Sequence, residues 1–148
     1  MSKYFLIFLL VYSLVSCFRK EYPECPISTR GGYDDRLHIV NKSTDTVTIA
    51  CQLEYPDTTL DSFMGPPYSG IPSSVIEPGE NQAWNAGQCW ESILSQATSG
   101  IAQVFLFDVH ILRTTDWSKI KEEKKYLKRY QFSLEEIKAQ NWQIVYEP

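Results

Sequence analysis

The sequence predicts an α+β fold: an antiparallel, sandwich-like sheet of about six strands with two or three short helices in the C-terminal half. Two observations favour this fold. Short runs of β-branched and aromatic residues recur between clusters of turn-forming residues, which is typical of strands. Apolar residues take the spacing of helices in segments that lie late in the chain.

The first two strands are predicted on either side of a polar turn. Leu37 to Val40 and Val47 to Leu53 are apolar, β-branched runs around the polar cluster Asn41 to Asp45. His38 lies inside the first run, and no serine or cysteine nucleophile motif accompanies it. We therefore interpret His38 as a strand histidine that faces solvent or a backbone partner.

A long loop rich in proline and glycine follows over residues 55–84. Within it we expect one short strand near Ser74 to Ile76 and a turn at Pro78 and Gly79. Loops of this length are uncommon unless they are functional or mobile, so this loop is the first candidate for a recognition surface. A packed loop without a binding role is an equal alternative.

The middle of the chain predicts a short helix and then a buried strand. One apolar stripe indicates the helix and consists of Trp90, Ile93, Leu94 and Ala97. The nearly continuous apolar run from Ile101 to Val109 favours a central strand buried on both faces. We interpret Asp108, near the end of this strand, as a turn or helix cap, with an active-site carboxylate as the alternative.

A further helix and strand are predicted after Asp116. Helical spacing there is carried by Trp117, Ile120, Lys124 and Leu127. The next segment, "YLKRYQF", is predicted to be a strand with Tyr126, Tyr130 and Phe132 largely on one face.

The chain closes with a helix and a strand. Ser133 and Glu136 have the spacing of a capping box, so the last helix starts there and buries Leu134 and Ile137. The closing strand follows from an alternating pattern, with Trp142, Ile144 and Tyr146 set against Gln143, Val145 and Glu147.

The first residues have the pattern of a secretory signal peptide. Lys3 precedes an apolar run from Tyr4 to Val15, which is too short to span a bilayer as a helix. The four residues that end in Cys17, "LVSC", resemble a bacterial lipobox. This resemblance implies cleavage before Cys17 and acylation of that residue. The alternatives are conventional cleavage with Cys17 left as a thiol, or an uncleaved anchor.

The predicted organisation has three parts. Residues 1–16 are the lipoprotein signal peptide, residues 17–35 the lipidated cysteine and a flexible tether, and residues 36–148 a single globular domain. The mature chain of 132 residues suits one domain, and its 43% hydrophobic and 14% aromatic content, counted over the full sequence, argues against disorder.

With Cys17 acylated, three cysteines stay available in an oxidising compartment. Cys25, Cys51 and Cys89 allow three pairings, and we favour Cys51 with Cys89 because Cys25 lies in the predicted tether. A zinc site that combines these cysteines with His38 or His110 is the alternative. It is disfavoured because no two of these ligands have the close spacing of zinc motifs. We therefore predict no metal and no cofactor.

Charge is distributed unevenly along the chain. The net charge is −4, and it becomes −5 when the leader with Lys3 is removed, so a nucleic-acid partner is not predicted. Residues 21–91 hold eleven acidic and three basic side chains, whereas residues 113–129 hold seven basic and three acidic ones. This asymmetry could guide a charged partner, but interleaved charges at helical spacing more simply indicate a solvated helix face.

Several segments together resemble a group of small lipoproteins from bacteria of the Bacteroides group. They are the lipobox, "NKSTDTVTI", "YPDTTL", "VFLFD" and the ending "YLKRYQFSLEEIKAQNWQIVYEP". The resemblance covers most of the chain from about Leu37 onward. It implies an envelope location and a compact shared fold, and it supplies no active-site residues. Under it, Thr46 and Thr58 match a short O-glycosylation signal, with turn support by local side-chain hydrogen bonds as the alternative.

These observations predict a lipid-anchored protein of the cell envelope, most simply at the outer membrane, that binds rather than catalyses. Its predicted partners are the membrane, through the N-terminal lipid, and an envelope protein or glycan. Two alternatives stay open. One is a hydrolase that uses carboxylates such as Asp57, Asp61 or Asp108, and the other is a scaffold subunit of an envelope complex.

Overall fold

The computed structural model describes residues 25–26, 34–61, 63 and 75–148. Over these residues seven strands and four helices are present. The strands are β1 (His38–Asn41), β2 (Val47–Gln52), β3 (Val75–Ile76), β4 (Asn81–Ala83), β5 (Ala102–Asp108), β6 (Lys128–Phe132) and β7 (Gln143–Tyr146). The helices are α1 (Trp90–Gln96), α2 (Val109–Thr114), α3 (Trp117–Glu123) and α4 (Leu134–Ala139).

The strands form two sheets that pack as a sandwich. One sheet has the order β4-β1-β7 and the other β3-β2-β5-β6. The predicted α+β sandwich is confirmed, and most of the helices lie in the C-terminal half as expected. One pairing departs from the antiparallel expectation, because β1 and β7 run parallel.

Strand β5 is the central strand that the sequence predicts. It pairs antiparallel with β2 on one side and β6 on the other, and its residues from Ala102 to Phe107 are buried. Alternate side chains of a strand point to opposite faces, so β5 contributes to two hydrophobic cores. Val104 and Leu106 belong to the inner core between the sheets, whereas Phe105 and Phe107 belong to an outer core.

The inner core is closed at its side by α1 and α4. Trp90 at the start of α1 is fully buried and packs edge-on against Phe132 of β6, with ring centroids 5.7 Å apart. Ile137 of α4 is also fully buried in this core. The apolar stripe of α1 is therefore core, as predicted.

The outer core lies on the other face of the four-stranded sheet. Its buried members are Ala50, Leu60, Phe105, Phe107 and Ile120, and Trp117 and Tyr126 are among the half-buried side chains packed against them. The prediction that Tyr126 shares a face with Tyr130 and Phe132 is wrong. Strand β6 begins only at Lys128, and Tyr126 lies in the preceding turn with its ring 5.2 Å from that of Phe105.

The capping box at the start of α4 is confirmed. The Ser133 side chain accepts a hydrogen bond from the Glu136 N–H, and the Glu136 carboxylate accepts one from the Ser133 N–H. In β7 the expected alternation holds, because Ile144 and Tyr146 are buried while Gln143 and Val145 are exposed. Trp142 precedes the strand, and its half-buried ring lies 4.0 Å below the guanidinium of Arg36.

Arg36 holds two buried carboxylates beside the start of α1. Its guanidinium donates to both oxygens of Asp34 at 2.9 and 2.6 Å and to both oxygens of Glu91 at 3.1 and 2.6 Å. Asp34 is fully buried and also accepts a hydrogen bond from the Trp90 N–H at 2.9 Å. Asp34, which the sequence assigns to the tether, is thus already part of the packed structure. We call Asp34, Arg36 and Glu91 the Arg36 cluster.

The predicted disulfide between Cys51 and Cys89 is wrong. Cys89 is bonded to Cys25, and their Cα atoms lie 5.7 Å apart. Cys51 is a free, fully buried thiol whose side chain lies in the inner core, and burial raises its pKa to about 12. Cys51 lies in the middle of a sheet, whereas Cys89 precedes α1 close to the point where the chain joins the sandwich at Asp34.

Candidate functional site

A polar cavity lies at one end of the sandwich, where three connections meet. The turn before β2, strand β3 and the junction of β5 with α2 converge because Val47 is opposite both Ile76 and Asp108 in the sheet. The cavity has a volume of about 490 Å³. Its lining, which we call the polar groove, consists of Thr44, Asp45, Thr46, Val75, Glu77, Asp108, Val109, His110 and Arg113.

The turn between β1 and β2 is fixed by Asn41, which is fully buried. Its side-chain amide donates to the carbonyl oxygens of Asp45 at 2.8 Å and Ile76 at 3.1 Å. Its side-chain oxygen accepts from the Ser43 N–H at 3.0 Å and the Ser43 hydroxyl at 2.7 Å. A buried polar group with all these partners holds one conformation, so this wall of the groove is preorganised.

Asp108 forms the opposite wall and caps α2. Its Oδ1 accepts hydrogen bonds from the N–H groups of His110 at 2.6 Å and Ile111 at 3.3 Å. This confirms the interpretation of Asp108 as a helix cap. The Val109 N–H donates to the Thr46 carbonyl at 3.0 Å, which ties the two walls together.

Three side chains of the polar groove keep unused hydrogen-bonding capacity. Asp45, His110 and Arg113 are exposed, and their side chains form no hydrogen bond or ion pair with the described residues. The carboxylates of Asp45 and Asp108 also affect the ionisation of the neighbouring Tyr146 phenol. Burial and these two negative charges raise the pKa of the Tyr146 phenol, so it stays neutral. The groove thus presents carboxylate acceptors beside guanidinium and imidazole donors.

Of the three carboxylates of the hydrolase alternative, Asp108 lies far from Asp57, whereas Asp57 and Asp61 are close enough for the charge of Asp57 to act on Asp61. Asp57 lies beside the start of β5, since its carbonyl oxygen accepts a hydrogen bond from the Gln103 side chain at 2.8 Å. Asp108 lies at the end of β5, five residues further, which corresponds to about 17 Å along a strand. Asp61 forms an ion pair with Lys121 of α3. Only Asp108 of the three belongs to the polar groove.

Both loop carboxylates are held in their ionised form. Hydrogen bonds from Thr59 lower the pKa of Asp57, and the ion pair with Lys121 lowers the pKa of Asp61. A general acid needs a raised pKa, so neither carboxyl has the property that acid catalysis near neutral pH requires.

The two predicted glycosylation sites have hydroxyls that contact neighbouring side chains. The Thr46 hydroxyl lies in the polar groove and donates to Glu77 at 2.6 Å. The Thr58 hydroxyl accepts from the Lys124 ammonium at 3.4 Å. Next to it, Asp57 accepts hydrogen bonds from the N–H and hydroxyl of Thr59, which is the local turn support that the alternative describes. Glycosylation of both threonines stays a prediction.

The histidines lie apart from each other. His38 is on β1, and its Nδ1 lies 3.0 Å from the side-chain oxygen of Asn81 on β4, in keeping with a strand histidine. His110 lies in the polar groove. Within the residues that the structure describes, no three His, Cys, Asp or Glu side chains are arranged to hold a metal ion. In the same residues no helix has the length and hydrophobicity to cross a membrane.

Comparisons with protein-family models, curated proteins and solved structures find no match to this chain. The assignment of the polar groove as a candidate site therefore depends on its geometry alone. The sequence indicates two of its components, the polar turn before β2 and the carboxylate that ends β5. The sequence does not predict that Glu77 and Arg113 belong to the same site. These residues come to lie beside the turn only because β2 pairs with β3 and with β5.

Proposed function

We propose that this chain is a lipid-anchored protein of the bacterial cell envelope whose folded part binds a glycan in the polar groove, without catalysis. The observation that carries the binding proposal is the set of unpaired carboxylate, guanidinium and imidazole groups around one cavity, on walls fixed by Asn41 and Asp108.

The cysteines support export from the cytoplasm. The disulfide between Cys25 and Cys89 persists in an oxidising compartment, and bacterial lipoproteins are exposed to one. Cys17 follows the lipobox-like residues Leu14 to Ser16, directly after an apolar run too short to span a bilayer. Two or three acyl chains on Cys17 would hold the protein firmly on a membrane.

The chemistry of the groove favours a ligand rich in hydroxyl groups. Each sugar hydroxyl both donates and accepts hydrogen bonds, so a glycan matches a surface where acceptors and donors alternate. The acceptors are Asp45, Glu77 and Asp108, and the donors are Arg113 and His110. The volume of about 490 Å³ lies in the usual range of ligand sites.

Metabolic labelling with palmitate tests the anchor. We expect acyl label on the wild-type protein and on the control Cys51→Ala, and none on Cys17→Ala, because only Cys17 occupies the lipobox position. A version with a conventional cleavable signal before Phe18 should appear as a folded protein in the soluble periplasmic fraction. The anchor proposal is wrong if that version still sediments with membranes after a high-salt wash.

Titration of the protein, produced from Phe18 onward, with oligosaccharides from bacterial envelope polysaccharides tests the groove. Arg113→Gln and Asp45→Ala should each weaken binding about tenfold or more, because hydrogen bonds to charged groups contribute about 1.5 to 3 kcal/mol. Lys119→Gln is the matched control, since Lys119 is an exposed cation on α3 outside the groove. Equal loss in the control, or no binding at millimolar concentration, would contradict the proposal.

A further inference from the structure

The polar groove and the tether attachment lie at opposite ends of the sandwich. At the groove, β2 begins at Val47, and β5 ends opposite it at Asp108. At the other end, β2 finishes at Gln52 opposite Gln103, near the start of β5. The five steps from Val47 to Gln52 separate these ends by about 17 Å.

The three-stranded sheet also has one end at the groove and the other at the tether attachment. Strand β1 reaches the groove at Asn41, whose side chain holds the turn that lines it. The chain before β1 lies at the opposite end, where Asp34 pairs with Ala86. Cys89 follows three residues after Ala86 and is bonded to Cys25. We call the end formed by Asp34, Ala86 and Cys89 the disulfide end.

The disulfide shortens the connection to the membrane. Cys25 lies eight residues after Cys17, so an extended chain between them spans at most about 29 Å. Without the disulfide, the first described contact with the sandwich is that of Asp34, and the 17 steps from Cys17 to Asp34 span at most about 60 Å. Both attachment points belong to the disulfide end, so each restrains the same side of the molecule.

From these positions we infer that the polar groove is the membrane-distal face of the protein, and that its glycan ligand lies beyond the anchoring membrane rather than being a headgroup of that membrane. This inference rests on the proposed acylation of Cys17. The disulfide end is held within about 29 Å of the bilayer, and the groove lies about 17 Å further along the strands.

Energy transfer to labelled lipids measures this orientation. Thr44→Cys places a donor fluorophore at the groove, and Asn85→Cys places one at the disulfide end, both at exposed positions. The oxidised protein leaves these thiols reactive, because Cys51 is fully buried and Cys25 is bonded to Cys89. Peptide mapping checks that the native disulfide is kept in each labelled protein.

The acylated proteins are placed in phosphatidylcholine vesicles that contain rhodamine-labelled lipid. We expect at least twofold higher transfer efficiency from position 85 than from position 44. Inserting ten Gly/Ser residues after Phe18 leaves the disulfide intact and should lower the transfer from both positions and narrow their difference. Equal transfer from the two positions, or higher transfer from position 44, overturns the inference.

A second way of attaching the protein to vesicles tests the orientation of the groove independently of the proposed lipidation. The protein from Phe18 onward, with a histidine tag in place of the lipid, is bound to vesicles that carry nickel-chelating lipid. The same order of transfer efficiencies is expected there, since the tether still begins at position 18. If palmitate labelling fails but transfer from position 85 is still higher than from position 44, only the proposed acylation is contradicted. If transfer from position 44 is higher on the chelating vesicles, the inferred orientation of the groove is contradicted.

Discussion

Replacing Cys25 and Cys89 together with serine should lower the free energy of unfolding by about 4 kcal/mol. The bond joins residues 64 positions apart, and closing a loop of that size in the unfolded chain has about this effect in the chain-entropy model. Urea denaturation of the oxidised protein and of the double variant measures the difference. We expect the folded variant, where it persists, to keep the same sandwich, because Cys25 contributes the bond rather than a strand.

Thiol chemistry provides the control for this prediction. In the folded, oxidised protein Cys51 should resist alkylation and react only after unfolding, because it is fully buried and burial raises its pKa to about 12. Cys51→Ala removes that thiol and leaves the disulfide in place. A loss of less than 1 kcal/mol in the double serine variant, or mass mapping that finds Cys51 bonded to Cys89, would show that the pairing is different.

Arg36→Met should destabilise the protein by about 3 to 5 kcal/mol at pH 7. The substitution keeps the apolar stem and removes the cation that holds Asp34 and Glu91. Asp34 then has no ion pair with the described residues, and Glu91 keeps only the longer one with Lys138, at 3.9 Å. The side chain of Arg36 is 21% exposed, which leaves limited access for compensating water. Arg113→Met is the matched control, and we expect it to change stability by less than about 0.5 kcal/mol, since Arg113 is exposed and has no ion pair with the described residues.

The cost of Arg36→Met should shrink as the pH falls. Burial opposes ionisation of Asp34 and Glu91 and is the largest single influence on each. The hydrogen bonds and charge of Arg36, together with backbone N–H donors, outweigh it, and the pKa of each carboxyl lies below its ordinary value. Such groups contribute stability above their unfolded pKa values of about 4, and this contribution is lost as the pH falls through the folded values. In the variant, Asp34 and Glu91 lack the guanidinium and gain from protonation instead.

Unfolding free energies of the wild type and Arg36→Met at pH 7 and near pH 3.5 test this dependence. We expect the gap between the two proteins to narrow toward acid. Adding Asp34→Asn to Arg36→Met removes one buried charge and should recover part of the loss at pH 7. A gap that is constant with pH would mean that the contact of the Arg36 guanidinium with the Trp142 ring, rather than its pairing with the carboxylates, accounts for the effect.

The elements that the sequence predicts are those with a strong local pattern. Strand β5 is apolar throughout, and α4 carries a capping box, so each is specified by its own residues. Strand β4 is not predicted, because Asn81–Ala83 is polar and becomes a strand only through pairing with β1. Helix α2 is also missed, since its residues look like a continuation of β5 until Asp108 caps them.

Sites that are formed by contacts between distant segments are likewise difficult to predict from local sequence patterns. The pairing of Cys25 depends on where the chain joins the sandwich, and no local signal near Cys25 shows that. The polar groove combines residues from the segments 44–46, 75–77 and 108–113. Each segment alone resembles an ordinary turn or strand end, so only the sheet register brings their charged groups together.

The parallel pairing of β1 with β7 determines when the three-stranded sheet can be completed during synthesis. Strand β1 lies between β4 and β7, and its partner in β7 is 105 residues later, since His38 is opposite Gln143. The three-stranded sheet therefore lacks one edge until β7 has been synthesised. Contacts of such long range form slowly. We therefore expect the four-stranded sheet, whose last strand ends at Phe132, to form before the three-stranded sheet is complete.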